Sequence, residues 1–238
     1  MPIEPAPTLA ERGSGSSAPS LVVLGGGQHA RVVVEATRSD AGRWQVQGFV
    51  APAAGTWQDV PWLGDDAGLA ARLHDLPERD RPSLVLGFGG GESAPSLAAR
   101  TDTADGFGPD VRWATIIHGT AWVSPGATID PGAVILAHAI VNHGAYVGRH
   151  VIANSGAIVE HDVVVGAGSH IAPGAVIGGG TRIGPGTFVG LGARVRDHLE
   201  VGPGVVIGMG AVVVAPVSAG REVVGIPARE RTSDGPPR

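Results

Sequence analysis

The chain of 238 residues contains no cysteine. That absence excludes disulfides, thiolate metal sites and a thiol nucleophile. It contains no lysine either, so all 17 basic residues are arginine and lysine Schiff-base chemistry, including a pyridoxal-phosphate linkage, is ruled out. A bias toward arginine codons accounts for that skew. Positive charge is not in excess: the formal net charge is −5, which argues against a nucleic-acid or anionic-membrane binder. No apolar run approaches the roughly 20 residues that span a bilayer. The opening "MPIEPAPTLAERGSGSSAPS" has neither a basic start nor an apolar signal core, so residues 1–20 read as a disordered tail and the protein as soluble and cytoplasmic.

What is present is 43% hydrophobic residues, enough to bury a core in one or two domains. The stretch "SLVVLGGGQHARVVVEATRSD" reads as a strand at Leu21–Leu24, a glycine loop (Gly25, Gly26, Gly27) and a helix from about Ala30 to Arg38. "WQVQGFV" reads as the next strand, and "RPSLVLGFGGGESAPSLAAR" repeats the order strand, glycine loop, helix near Leu84. This order predicts a small parallel sheet with its loops gathered at the strand ends, where helix N-termini present free N–H groups to an anion such as a phosphate. "GGGQHA" is not the G-x-G-x-x-G dinucleotide motif, and a tight strand-to-helix turn is an equal reading. His29, at the mouth of the loop, is a candidate ligand contact or a solvated helix-start residue.

From Ile117 onward an aliphatic residue recurs every six positions without an insertion, through Val123, Ile129, Ile135 and so on to Ile207; Ala153 alone among the sixteen is neither Ile nor Val. Four places after each stands a second, usually small residue, such as Ala121, Ala139, Ala157 or Ser169. A helical period would scatter these side chains, whereas a period of six keeps step with a strand's period of two and holds them on one face. Hexad repeats are the signature of a parallel β-helix.

The third and fourth places of each hexad turn the corner, and Gly fills the fourth in eleven of sixteen. In the hexad opening at Val159 those two places are His161 and Asp162, with Glu160 before them. A turn suited to Pro-Gly has been given to two titratable side chains that point out of the prism, where a base would sit. His143 stands at the same corner one 18-residue coil earlier, so the two imidazoles are expected to stack about 4.8 Å apart and help keep one neutral. Gly179, one coil later, is expected to leave an open pocket beside His161. His118, His150 and His198 read as plain turn or surface residues.

The stretch "NSGAIVEHDVVVGAGSHIAPGA", with "VVGIPAR" near the end, resembles the hexapeptide-repeat sugar acetyltransferases that include sialic acid O-acetyltransferases and N-acetyltransferases of nucleotide-linked 4-amino-sugars. The resemblance covers about residues 20–229. It implies a Rossmann-like sugar- or nucleotide-binding domain at 21–113, a left-handed parallel β-helix at 114–229 and a tail at 230–238. It also implies acetyl-CoA as co-substrate, no metal, and a homotrimer with coenzyme A between neighbours. Carried over position by position, His161 is the general base and Asp162 its orienter, with Glu160 as a rival. Asn154 falls where that family touches the acceptor sugar, and the loop residues Gly25, Gly26, Gly27 and His29 remain candidate contacts to its phosphate or sugar; His170, Gly179, Leu191 and Met209 fall where that family holds the coenzyme. The chemistry is consistent: a neutral imidazole suits removal of a proton from an attacking amine or hydroxyl, and a carboxylate on its second nitrogen fixes the tautomer. An oxyanion donor is expected among the amides of residues 178–180. Two positions depart from the family pattern: Gln28 replaces the Gly before the first-loop His, and Ala51 replaces the Asp that reads a nucleotide base.

Two rival readings stand beside this one. His138, His143 and His161 could bind zinc in a carbonic anhydrase of the same fold. Otherwise the β-helix would be structural and the α/β unit only a binding module.

Overall fold

A computed structural model describes residues 18–40, 43–55, 57, 59–89 and 94–231. Most of the expected N-terminal tail (1–17) and of the C-terminal one (232–238) lies outside these residues.

The chain opens with strand β1 (Ser20–Leu24), helix α1 (Gln28–Ser39), strand β2 (Gln45–Val50), helix α2 (Asp66–Asp75), strand β3 (Ser83–Leu86) and helix α3 (Ala94–Gly106). The three strands are parallel in the order β2-β1-β3. β1 and β3 are buried along their whole length, as continuous apolar strands covered on both faces must be. Ser20, expected in the tail, is the first residue of β1. Helix α2 was not foreseen from the sequence. The Asp65 side chain caps it by accepting the Gly68 N–H at 2.8 Å, and Leu69 and Leu73 bury its inner side against Leu84 and Leu86.

From Ile116 on, two-residue strands recur every six residues and stack in parallel on strands eighteen positions away, as Ile116 does on Val134 and Val134 on Ile152. The result is a β-helix of about 6 turns, so the expected fold class, a small α/β unit followed by a left-handed parallel β-helix, is the architecture found. The hexad-opening aliphatics, Ile135 through Ile207, fill its interior with Ala139, Ala157, Ala175 and Ala193 between them. From Gly132 onward the corners turn through a left-handed residue at the fourth place. Glycine takes this conformation freely, but His138, His150, Asp162 and His198 hold it too, with φ between 54° and 59°.

The three faces differ in what their outward side chains do. The first, carrying Ile116, Val134, Ile152, His170, Phe188 and Val206, is covered by the α/β unit. α1 packs on its early rungs, and Leu97 of α3 packs on Ala172, Phe188 and Val206. The second presents Trp122, Ile140, Ile158, Val176, Arg194 and Val212, mostly apolar and all partly or fully exposed. The third, with Thr128, Tyr146, Val164, Arg182 and Glu200, is mostly polar. At the far end Arg229–Glu230 folds back antiparallel on Val223–Val224, so Glu230 lies in a strand and not in a tail.

Candidate active site

The turn from the second face to the third carries His161 and Asp162, between strands Ile158–Val159 and Val164–Val165. Its backbone is fixed by rung bonds: Asp162 N–H donates to His143 O at 3.0 Å, and Gly180 N–H donates to His161 O at 2.9 Å. The Asp162 Oδ2 lies 2.9 Å from His161 Nδ1. A carboxylate can only accept, so the neutral ring carries its proton on Nδ1 and turns the lone pair of Nε2 outward. The Asp162 hydrogen bond raises the proton affinity of His161, with the charges of Asp162 and Glu160 adding to it and burial opposing it. Glu160 does not reach the ring nitrogens. Its Oε2 accepts from Asn142 Nδ2 at 2.9 Å and from the His161 backbone N–H at 3.3 Å, so it steadies the turn.

Two expectations about the neighbours of His161 fail. Gly179 is buried beneath the imidazole, and a Cβ there would come 2.6 Å from Nε2. The missing side chain admits the ring itself and leaves no open pocket. Nor do His143 and His161 stack. The His143 ring leans back over Gly126 while the His161 ring leans forward over Gly179, and His143 is not among the causes of the shift on His161. Of the three amides 178–180, Gly178 donates to Val195 O and Gly180 to His161 O; that of Gly179 has no hydrogen bond among the described residues. An unpaired backbone N–H on the residue that the ring covers is a candidate oxyanion donor.

A second group lies on the covered face and at its edge. His170, only 7% exposed, donates from Nδ1 to Gly89 O at 2.9 Å and accepts at Nε2 from Asn154 Nδ2 at 3.1 Å. Asn154 Oδ1 is occupied by the Ser155 N–H at 2.8 Å, which fixes the amide's orientation. The His29 ring sits 6.3 Å from that of His170, and its Nε2 is shielded from water with no partner among the described residues. Burial, then the nearby Arg100 charge, pushes His29 down to about 4 and His170 down to about 3, so both are neutral at pH 7. His29 is therefore a half-buried part of the domain seam. Gly25 has φ 111° and bonds Val50 O, a Cβ on Gly26 would meet Ala51 at 3.0 Å, and Gly27 starts α1 with no side-chain cap. His150, expected as a plain turn or surface residue, is a buried turn residue packed edge-on against Trp113.

Leu191 and Met209 are 49% and 67% exposed and stand one coil apart on the edge between the first and second faces, the edge that also carries Asn154. His161 and Gly179 stand on the edge between the second and third. One chain thus brings Asn154, His170, Leu191 and Met209 to one side of the apolar face and His161, Asp162 and Gly179 to the other. Met209 also borders a cavity of about 350 Å³ with Phe188, Val206 and Val224. Among the described residues no three His, Asp or Glu side chains are placed to hold a metal ion, so His138, His143 and His161 make no such trio within a chain. No described helix is long and apolar enough to cross a membrane.

Arg100 is the residue that sequence reasoning missed: nothing in the local pattern of α3 distinguishes it from a solvated helix arginine.

No protein-family model matches the chain, and no curated protein does. Solved structures match along most of it. A histidine-to-asparagine mutant of perosamine N-acetyltransferase from Caulobacter crescentus, in complex with CoA and GDP-perosamine, is 28% identical with a TM-score of 0.82, covering 90% of this chain and 97% of that one. The acetyltransferase domain of PglB from Neisseria gonorrhoeae FA1090 is 32% identical with a TM-score of 0.79, covering 90% of this chain and 100% of that one. The same domain in complex with acetyl coenzyme A is 31% identical with a TM-score of 0.78 over the same shares. With this identity along nine-tenths of the chain and the hexad β-helix beneath an α/β unit, the chain belongs to the hexapeptide-repeat β-helix sugar acetyltransferases.

Proposed function

We propose that the enzyme transfers the acetyl group of acetyl-CoA directly to an amine of a nucleotide-linked amino-sugar, with His161 as general base. The observation that carries this reading is the His161–Asp162 pair at 2.9 Å, with the ring lying over Gly179, whose amide has no hydrogen bond among the described residues. Nε2 takes the proton as the acceptor nitrogen attacks the thioester carbonyl, Asp162 stabilises the imidazolium, and the Gly179 N–H is placed to receive the developing oxyanion. Collapse of the intermediate breaks the C–S bond, and the CoA sulfur leaves as the thiol with the proton that His161 took. The relatives crystallised with CoA and GDP-perosamine, or with acetyl coenzyme A, support both substrate classes. The coenzyme is assigned to the edge of Leu191 and Met209, and the acceptor to the side of Gly25–Gly27, His29 and Asn154. Such a donor and acceptor fit a cytoplasmic enzyme.

The active unit in this reading is a homotrimer. The apolar second face needs a cover, and its two edges carry complementary halves of the machinery. Under three-fold symmetry, one chain's His161 edge meets its neighbour's Leu191–Met209 edge.

One feature favours a second acceptor, a free sialic acid taking the acetyl group on a hydroxyl. At the end of β2, Ala51 engages its backbone with Gly64 and the Trp62 indole and offers no carboxylate to a base. Coenzyme A release measured against nucleotide-linked amino-sugars and free sialic acids separates the two. The reading expects turnover with the former and its loss in His161→Ala; full turnover in that variant would refute it.

A further inference from the structure

Arg100 is wholly buried although it carries a permanent charge. Its guanidinium donates from Nε to Phe88 O at 2.9 Å, from Nη2 to His150 O at 2.9 Å and from Nη1 to Gly168 O at 3.3 Å. The first carbonyl belongs to the loop after β3, and the other two belong to successive coil turns on the edge between the third and first faces. One planar fork thus ties the α/β unit to two rungs of the β-helix. A compact ammonium cannot reproduce that geometry.

The residues that flank these carbonyls belong to the candidate site. Phe88 precedes Gly89, whose carbonyl takes the Nδ1 proton of His170, and Gly168 lies two residues before His170. Moving the Phe88 carbonyl moves that of Gly89, and with it the ring whose other nitrogen holds Asn154. We infer that Arg100 is a positioning residue for acetyl transfer: its guanidinium sets how Phe88 and Gly89, just after β3, sit on the β-helix, and thereby where His170 and Asn154 stand. The inference rests on the acetyltransferase reading of the same site.

Charge acts in the same direction. The groups facing this seam are His29 from α1, His150 and Arg149 from the coil turn, His170 from the covered face and Asp105 from α3. Arg100 disfavours protonation of all three rings, after burial and, for His150, after Arg149 as well. It therefore helps keep His170 in the neutral form that can accept from Asn154.

The test compares Arg100→Lys and Arg100→Met with the parent enzyme in two ways. Kinetics per folded protein, by coenzyme A release, are expected to show KM for the acceptor up and kcat down, together about 10- to 100-fold, since displacements near 1 Å cost that much. The acid limb set by His161 is expected to stay in place. Ring titrations by NMR are expected to move His29 and His170 toward ordinary histidine in Arg100→Met, and to move them less in Arg100→Lys. Wild-type kcat and KM in a folded variant would overturn the inference, as would unshifted ring titrations. Should Arg100→Met fail to fold, Arg100→Lys decides by the same two readouts. The titrations need no turnover, so an enzyme inactive on every sugar would sink the acetyltransferase reading and still report on Arg100.

Discussion

His161 Nδ1 lies 2.9 Å from Oδ2 of the next residue, Asp162, and Asp162 reaches it from a left-handed backbone with φ 59°. Eleven of the sixteen equivalent corner places hold glycine, so the carboxylate occupies a conformation that costs an ordinary L-residue roughly 1–2 kcal/mol.

Asp162→Gly is therefore expected to be more stable than the parent, by up to about 1 kcal/mol, and slower by about 100-fold or more. Chemical denaturation and turnover measured on the same preparations check both halves. A variant both less stable and fully active would contradict them.

Asp162→Asn tests the proton. Its carboxylate raises the affinity of His161, so removing the charge lets the ring lose its proton at lower pH. The acid limb of kcat/KM moves to lower pH while the plateau falls, because an amide no longer fixes the tautomer or stabilises the imidazolium. An acid limb that does not move would assign the titration to another group.

Gly179→Ala should separate catalysis from folding. A Cβ would come 2.6 Å from His161 Nε2, but the backbone there is not left-handed and the ring is exposed. Turnover is expected to fall at least tenfold with the melting temperature nearly unchanged.

Acid should loosen the fold. Burial holds His29 and His150 at about 4 and His170 at about 3, against 6.5 in the unfolded chain. Between pH 6.5 and about 3 the unfolded chain binds protons that the folded one refuses. Stability present at neutral pH is thus lost as pH falls through that window, at about 1.4 kcal/mol for each tenfold lowering of proton affinity. Urea midpoints measured from pH 7 to pH 4 are expected to decline steadily.

If the proposed trimer holds, the parent is expected to give three times 23.9 kDa in light scattering, and Ile158→Arg, on the second face, to yield particles of 23.9 kDa and to abolish turnover without touching a reacting group. Co-refolding His161→Ala chains with Met209→Arg chains should recover part of the activity if sites form between neighbours. A mixture as inactive as its components would place each site within one chain.

The prism was legible because a hexad period is a local rule: each corner and each interior aliphatic is set by its own six residues. The pairing of His161 with Asp162 was legible for the same reason. Which face the α/β unit covers is a tertiary matter, yet it left a trace, since Ile116, Val134, Ile152, Phe188 and Val206 are outward residues that recur at multiples of eighteen and are apolar. Ring directions were not legible. His143 and His161 occupy equivalent places one coil apart, but glycines stand at 126 and 179, so each ring leans onto the bare backbone available to it. Nor was the burial of His150 and Arg100 visible, because it depends on α3 reaching the coil turns.

A stack of parallel rungs ends in a row of amides and carbonyls that could template another molecule and let the protein polymerise. Here the final strand runs backwards, is two residues long, and is flanked by Arg221–Glu230 at 2.6 Å and Arg231–Glu222 at 2.9 Å. A reversed, short and charged margin offers an incoming rung no matching register, so on this face the far end disfavours filament growth.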